Sequence, residues 1–152
     1  MVISSFPDVC VRDVSASVDF YRALLDLEVR IDFGWYAELG APAGADAVEA
    51  GGPTLIALVA RGHETVPATM DGSPAGVLLS FVVEDVDEIA ARVELLGCPI
   101  LWPLTTELGQ RHLMVADPDG AVVDVIQHVP LTAADRRRLV RLRGPEPLER
   151  GS

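Results

Sequence analysis

An internal repeat constrains this chain more than any other feature. Val9-Cys10-Val11-Arg12-Asp13-Val14 returns 72 residues later as Phe81-Val82-Val83-Glu84-Asp85-Val86. In each copy an apolar run ends on an acidic residue placed to cap a helix behind it. The first helix sets Val14, Val18, Tyr21 and Leu25 on one stripe, and the second sets Val86, Ile89, Ala90, Val93 and Leu96 on a similar one. Asp19 and Arg22, or Asp87 and Glu88, take the wet side, which is the pattern of an amphipathic helix. Leu24-Leu25-Asp26 and Leu95-Leu96-Gly97 close the two helices. A repeat at this period means one supersecondary unit used twice.

Short strands follow each helix. In the first copy they fall at about Glu28–Phe33, Trp35–Leu39 and Thr54–Arg61, with Gly34 and Gly51-Gly52-Pro53 as breaks. In the second they fall at about Pro99–Pro103, Arg111–Ala116 and Ala121–His128. Asp117-Pro118-Asp119-Gly120 supplies a tight reversal between the last two. The fold class is therefore α+β, two βαβββ modules with a C-terminal basic helix. Residues 1–130 form one domain, with module one at 3–61, a linker at 62–75 and module two at 76–129. Residues 131–152 form the C-terminal helix, opened by a capping box of Thr132 with Asp135, and a disordered tail past Gly144-Pro145.

The chain has 152 residues and no lysine; all 12 basic residues are arginines. Six of these lie in the last 22 residues, which leaves residues 1–130 with six arginines against 20 acids, a net of about −14. Such a body repels nucleic acid and anionic membranes and attracts cations. No apolar stretch is long enough to span a bilayer, and the N-terminus lacks a signal core, so a cytoplasmic location is the expectation. Cys10 and Cys98 stand apart, as two thiols of a reducing compartment.

Val-Arg-Asp-Val-Ser-Ala-Ser-Val-Asp-Phe-Tyr (11–21), paired with Gly-Gln-Arg-His-Leu-Met-Val-Ala-Asp-Pro-Asp-Gly (109–120), resembles the vicinal oxygen chelate superfamily. Glyoxalase I, extradiol dioxygenases and bleomycin resistance proteins are members. The resemblance implies curved mixed sheets around a shared cavity. It also implies four metal-ligand positions, which here hold Phe6, Ala57, Leu78 and Asp124. Three of these side chains have no lone pair to give, so the resemblance is to the metal-free branch: no metal and no cofactor are expected.

Strand alternation extends the candidate pocket, because residues two apart share a face. Phe6, Asp8 and Cys10 then face inward, as do Leu78, Ser80 and Val82. The resemblance, through the pocket pattern before Asp117-Pro118-Asp119-Gly120, implies that His112 and Met114 join them, as do Val122, Asp124 and Ile126, with the closing hairpin bringing His112 near Asp124 across neighbouring strands. Trp35 and Trp102, placed on corresponding strands of the two modules, can stack a flat ring. The candidate ligand-binding set is thus Phe6, Asp8, Cys10, Trp35, Ala57, Leu78, Ser80, Trp102, His112, Met114 and Asp124, with no catalytic residue assigned. It is mostly apolar with a few convergent polar groups, the profile of a small-molecule site.

These features point to a metal-free binding protein similar to the bleomycin and mitomycin resistance proteins, sequestering a ring-bearing, cationic compound and working as a homodimer. One alternative is a lyase, isomerase or dioxygenase-type enzyme of the same superfamily, acting through a metal at Asp124 or through His112 as a base, with Cys10 or Ser80 as a nucleophile. Another is an interaction module with a vestigial cavity.

Overall fold

The computed structural model describes residues 1–43 and 52–142. The order is β1 (Asp8–Val11), α1 (Val14–Leu25), β2 (Glu28–Asp32), β3 (Tyr36–Gly40), β4 (Thr54–Ala60), β5 (Leu78–Val82), α2 (Val86–Leu96), β6 (Ile100–Glu107), β7 (Gln110–Ala116), β8 (Val122–His128) and α3 (Ala133–Leu142). The strands form two open four-stranded sheets, β1-β4-β3-β2 and β5-β8-β7-β6. In each, the opening strand runs parallel to the closing one and the other pairs are antiparallel. The two βαβββ modules expected from the repeat are present, and so is the C-terminal helix. Among the described residues no helix is long and apolar enough to cross a membrane.

Both module helices start and stop by the same devices. Asp13 accepts from the Ala16 amide at 3.0 Å, and Asp85 from the amides of Asp87 (2.9 Å) and Glu88 (3.3 Å). Each cap satisfies amides that the first helical turn leaves without partners. Asp26 and Gly97 end the helices in the left-handed region, at φ 54° and 63°. Val14, Val18 and Tyr21 of α1, with Val86, Ile89 and Val93 of α2, are buried against Val9, Val11, Leu58, Leu79, Val123 and Val125 in one core that spans both modules. Val9 and Val11 therefore point to the helices, as alternation requires.

The Asp117–Gly120 turn does more than reverse the chain, because it fastens module two to module one. The Tyr21 hydroxyl, fully buried on α1, donates to Asp117 Oδ2 at 2.9 Å, while Asp117 Oδ1 accepts from the amides of Asp119 and Ala121. Burial, then the Asp117 charge, pushes the Tyr21 phenol far above its ordinary range. Asp119 Oδ1 accepts from the Arg12 amide and Nε, both at 3.0 Å, and pairs with Arg61 at 3.4 Å. Two buried carboxylates thus find neutral and cationic donors on the other module, which offsets their desolvation.

Two strand expectations need correction. β6 does not stop at Pro103 but runs to Glu107, with register shifts between Ile100 and Trp102 and between Trp102 and Thr105. It is an edge strand, where a proline without an N–H leaves no ladder bond unmade. The tryptophans do not lie on corresponding strands either. Trp102 sits on β6, whose counterpart is β2, whereas Trp35 precedes β3 in the turn after β2. The capping box is formed as expected: Thr132 Oγ1 accepts from the Asp135 amide at 3.1 Å, and Asp135 Oδ2 accepts from the Thr132 amide at 2.8 Å. Asp135 Oδ1 also accepts from the Leu108 amide, and Arg138 pairs with Glu107, so α3 is tied to the β6–β7 hairpin. The expected disordered tail past Gly144, and the break at Gly51, lie outside the described residues.

Candidate functional site

A cavity of about 420 Å³ lies where the modules meet. β1 contributes Asp8, Val9 and Cys10 with the preceding Pro7, β5 contributes Leu79 with the preceding Val77, and the rest comes chiefly from the linker, including Thr69, Met70 and Ser73. A second cavity of about 280 Å³ adjoins it, sharing Pro7, Val77 and Leu79 and running along β5 to Phe81. Asp8 is the one ionisable acid on the larger wall. Burial raises its carboxyl above the ordinary range, and the Glu38 charge raises it further. Glu38 stands on the same face, across the small Ala57: the β1–β4 register aligns Asp8 with Ala57 and the β3–β4 register aligns Ala57 with Glu38. Both Glu38 oxygens are already engaged, by the Tyr36 hydroxyl and by Thr54 Oγ1, each at 2.8 Å. Asp8 accepts no hydrogen bond from the protein among the described residues, so its charge is available to a guest.

Cys10 lines the same cavity and is buried. Burial first, then Asp8, pushes its thiol pKa up, with Arg61 acting against them. It stays a thiol at neutral pH and is a poor nucleophile.

The remaining expected residues divide into groups. Phe6 precedes β1, and Ala57 is buried under the space between Asp8 and Glu38. Leu78 and Ser80 border the smaller cavity on β5, and Ser80 is aligned with Asp124 on β8. His112, Met114 and Asp124 lie together on β7 and β8 and line neither cavity. His112 Nδ1 donates to Asp124 Oδ1 at 3.0 Å, and both side chains are buried. Arg111 does not join them but pairs with Asp87 at the start of α2. His112 Nε2 has no hydrogen-bond partner and lies 3.6 Å from Glu107 Oε1. Trp35 stacks face to face on His63 at 4.0 Å, beside Phe33, and Trp102 is 46 % exposed on the outer strand of its sheet. Neither tryptophan lines either of these two cavities.

The four positions at which the resemblance implies metal ligands do not fit a metal. Phe6, Ala57 and Leu78 offer no donor, and among the described residues no group of three or more His, Cys, Asp or Glu side chains is arranged to hold an ion. Asp124, the fourth position, is engaged by His112.

Sequence reasoning missed Glu38 and the linker wall. An acid alternating with apolar neighbours in Tyr36-Ala37-Glu38-Leu39 was a usable signal for the first. The linker gives none, because an aperiodic loop carries no facing information.

No curated protein matches the chain. Solved structures similar to it include a protein of unknown function from Agrobacterium tumefaciens, 27% identical with a TM-score of 0.65, the match covering 85% of this chain and 96% of that one. TioX from Micromonospora sp. ML1 is 21% identical with a TM-score of 0.58, covering 83% of this chain and 99% of that one. Lactoylglutathione lyase from Agrobacterium tumefaciens is 19% identical with a TM-score of 0.57, at 83% and 94% coverage. At these lower identities the likeness is one of fold. The family model for the Glyoxalase/Bleomycin resistance protein/Dioxygenase superfamily matches residues 5–125, most of the chain, and the protein belongs to that superfamily.

Proposed function

We propose that the protein binds and sequesters a small organic cation in the cavity between its modules, without transforming it. The observation that carries this reading is Asp8, a solvent-accessible carboxylate on the mostly apolar cavity wall, with no hydrogen-bond partner among the described residues and its pKa raised by partial burial and by Glu38. A cation seated there pairs with the charge that partial burial and Glu38 disfavour, and the acidic body steers cations toward it. The volume is within the range of small-molecule sites.

The catalytic alternatives fare worse on the same geometry. Cys10 remains protonated. His112 is oriented by Asp124, but its free nitrogen is buried 3.6 Å from Glu107, and His112 lines neither cavity. The superfamily's metal chemistry lacks its donors in this chain.

A thermal-shift screen against organic cations, anions and neutral ring compounds tests the reading. A true guest at 100 times its dissociation constant adds about 2.7 kcal/mol of stability. The cations should give the largest shifts, crystal violet among them, and Asp8→Asn should remove most of that shift. An anion as the best ligand contradicts the proposal.

The working unit is a homodimer on this reading. Ile100 (55 % exposed), Leu101 and Trp102 (46 %) leave apolar side chains uncovered along β6, the outer strand of the second sheet, a surface that a second copy of the chain can cover. Sedimentation at tens of micromolar should give twice the 16.2 kDa chain mass, and a monomer at that concentration refutes it.

A further inference from the structure

The two cavities share Pro7, Val77 and Leu79, and each runs along a strand edge, the larger along β1 and the smaller along β5. β1 ends the first sheet and β5 ends the second. A parallel strand bonds its neighbour through alternate residues. The Pro7 carbonyl accepts from Ala57 at 2.9 Å and the Val11 carbonyl from Arg61 at 2.8 Å, so the N–H and C=O groups of Asp8 and Cys10 point off the sheet. Likewise the Val83 amide donates to the Ile126 carbonyl at 2.8 Å, which turns the backbone groups of Leu78, Ser80 and Val82 off the edge of β5. No strand among the described residues pairs with these groups on either side. Pro7, Val77 and Leu79 border both cavities, so the open edges address the same space.

From these edges we infer that the guest is a peptide-like compound, bound in extended form by backbone hydrogen bonds to β1 or β5, with its cationic group on Asp8. An unpaired edge presents alternating donors and acceptors at the spacing of another extended amide chain. A flat ring system without amides fills volume but matches none of these groups. The five residues of β5 give about 17 Å of edge, which suits a guest of a few residues and not a folded partner. Asp8 supplies the charge, and Pro7, Val77 and Leu79, which border both cavities, supply the apolar contacts for the guest's side chains. This rests on the reading of the protein as a cation binder and adds the class of compound.

The test uses the full-length protein and three probes: a capped Val-Lys-Val tripeptide, the same peptide N-methylated at its central amide, and crystal violet, a cation without amides. The tripeptide should bind, N-methylation should weaken it at least tenfold, and the amide protons of Cys10 and Ser80 should exchange at least tenfold more slowly when it is bound. Equal affinity for the N-methylated peptide, or binding that leaves both amides unprotected, overturns the inference. If crystal violet binds through Asp8 and the tripeptide does not, the peptide class is wrong and the cation reading stands. If neither binds, both fall. Protection of Cys10 and Ser80 that rises with protein concentration in the absence of peptide also overturns it, because the edges are then occupied by a second copy of the chain.

Discussion

Asp117→Ala is expected to cost the fold about 3–5 kcal/mol, which lowers Tm by roughly 10–20 °C in a domain of this size. The substitution removes the acceptor of the buried Tyr21 hydroxyl and of two turn amides at once. Each group left without a partner in the interior costs about 1–3 kcal/mol. Tyr21→Phe separates the contributions. It removes one hydrogen bond to a carboxylate that keeps two backbone donors, and should cost about 1.5–3 kcal/mol. Asp119→Ala should uncouple the modules by a different route, leaving Arg12 and Arg61 without their shared partner. Chemical denaturation followed by circular dichroism reads all three. A Tm for Asp117→Ala within a few degrees of the parent protein would show that the turn merely reverses the chain.

Asp8→Asn should do the opposite to stability while removing function. The folded-state pKa of Asp8 is raised above its unfolded value. Between those two values the native state holds more protons than the unfolded one, so stability falls as pH rises through that window. Asparagine carries no charge, and the variant should therefore be at least as stable as the parent at neutral pH. Binding has the reverse sign. A cationic guest favours the carboxylate, so affinity is weak at acidic pH, rises as pH passes through the raised Asp8 pKa, and is flat above it. With crystal violet as the probe, Asp8→Asn should bind roughly ten- to a hundredfold more weakly on the plateau and lose the acid-side dependence. Titration calorimetry across pH 4 to 8 checks both. A variant with unchanged affinity and an unchanged profile removes Asp8 from the site.

The sequence carried what local physics specifies. The repeat, both aspartate caps and the Thr132–Asp135 box are written within a few residues of where they act, period-two alternation turned Val9 and Val11 toward the helices, and the hairpin through Asp117–Gly120 brought His112 beside Asp124. Features that depend on how the modules meet were not legible. Asp117-Pro118-Asp119-Gly120 read as a turn, although two aspartates exceed what a turn needs, and their partners Tyr21, Arg12 and Arg61 lie about 60 to 110 residues away. The linker showed no periodicity, so Thr69, Met70 and Ser73 could not be assigned to a wall. Trp35 was drawn into the pocket by its residue type, but its ring face is taken by His63. Pro103 read as a strand end because edge position, which makes it harmless, is a property of the sheet.

The location of the guest is the most direct test of the central claim. Backbone amide shifts of the ¹⁵N-labelled protein, titrated with crystal violet or the best cation of the screen, report it residue by residue. The account predicts the largest shifts at Asp8, Val9 and Cys10, at Val77 and Leu79, and in the linker around Thr69 to Ser73. Shifts concentrated instead at Trp102, His112, Met114 and Asp124 would contradict it, and would place the guest on the face of the second sheet beside the His112–Asp124 pair.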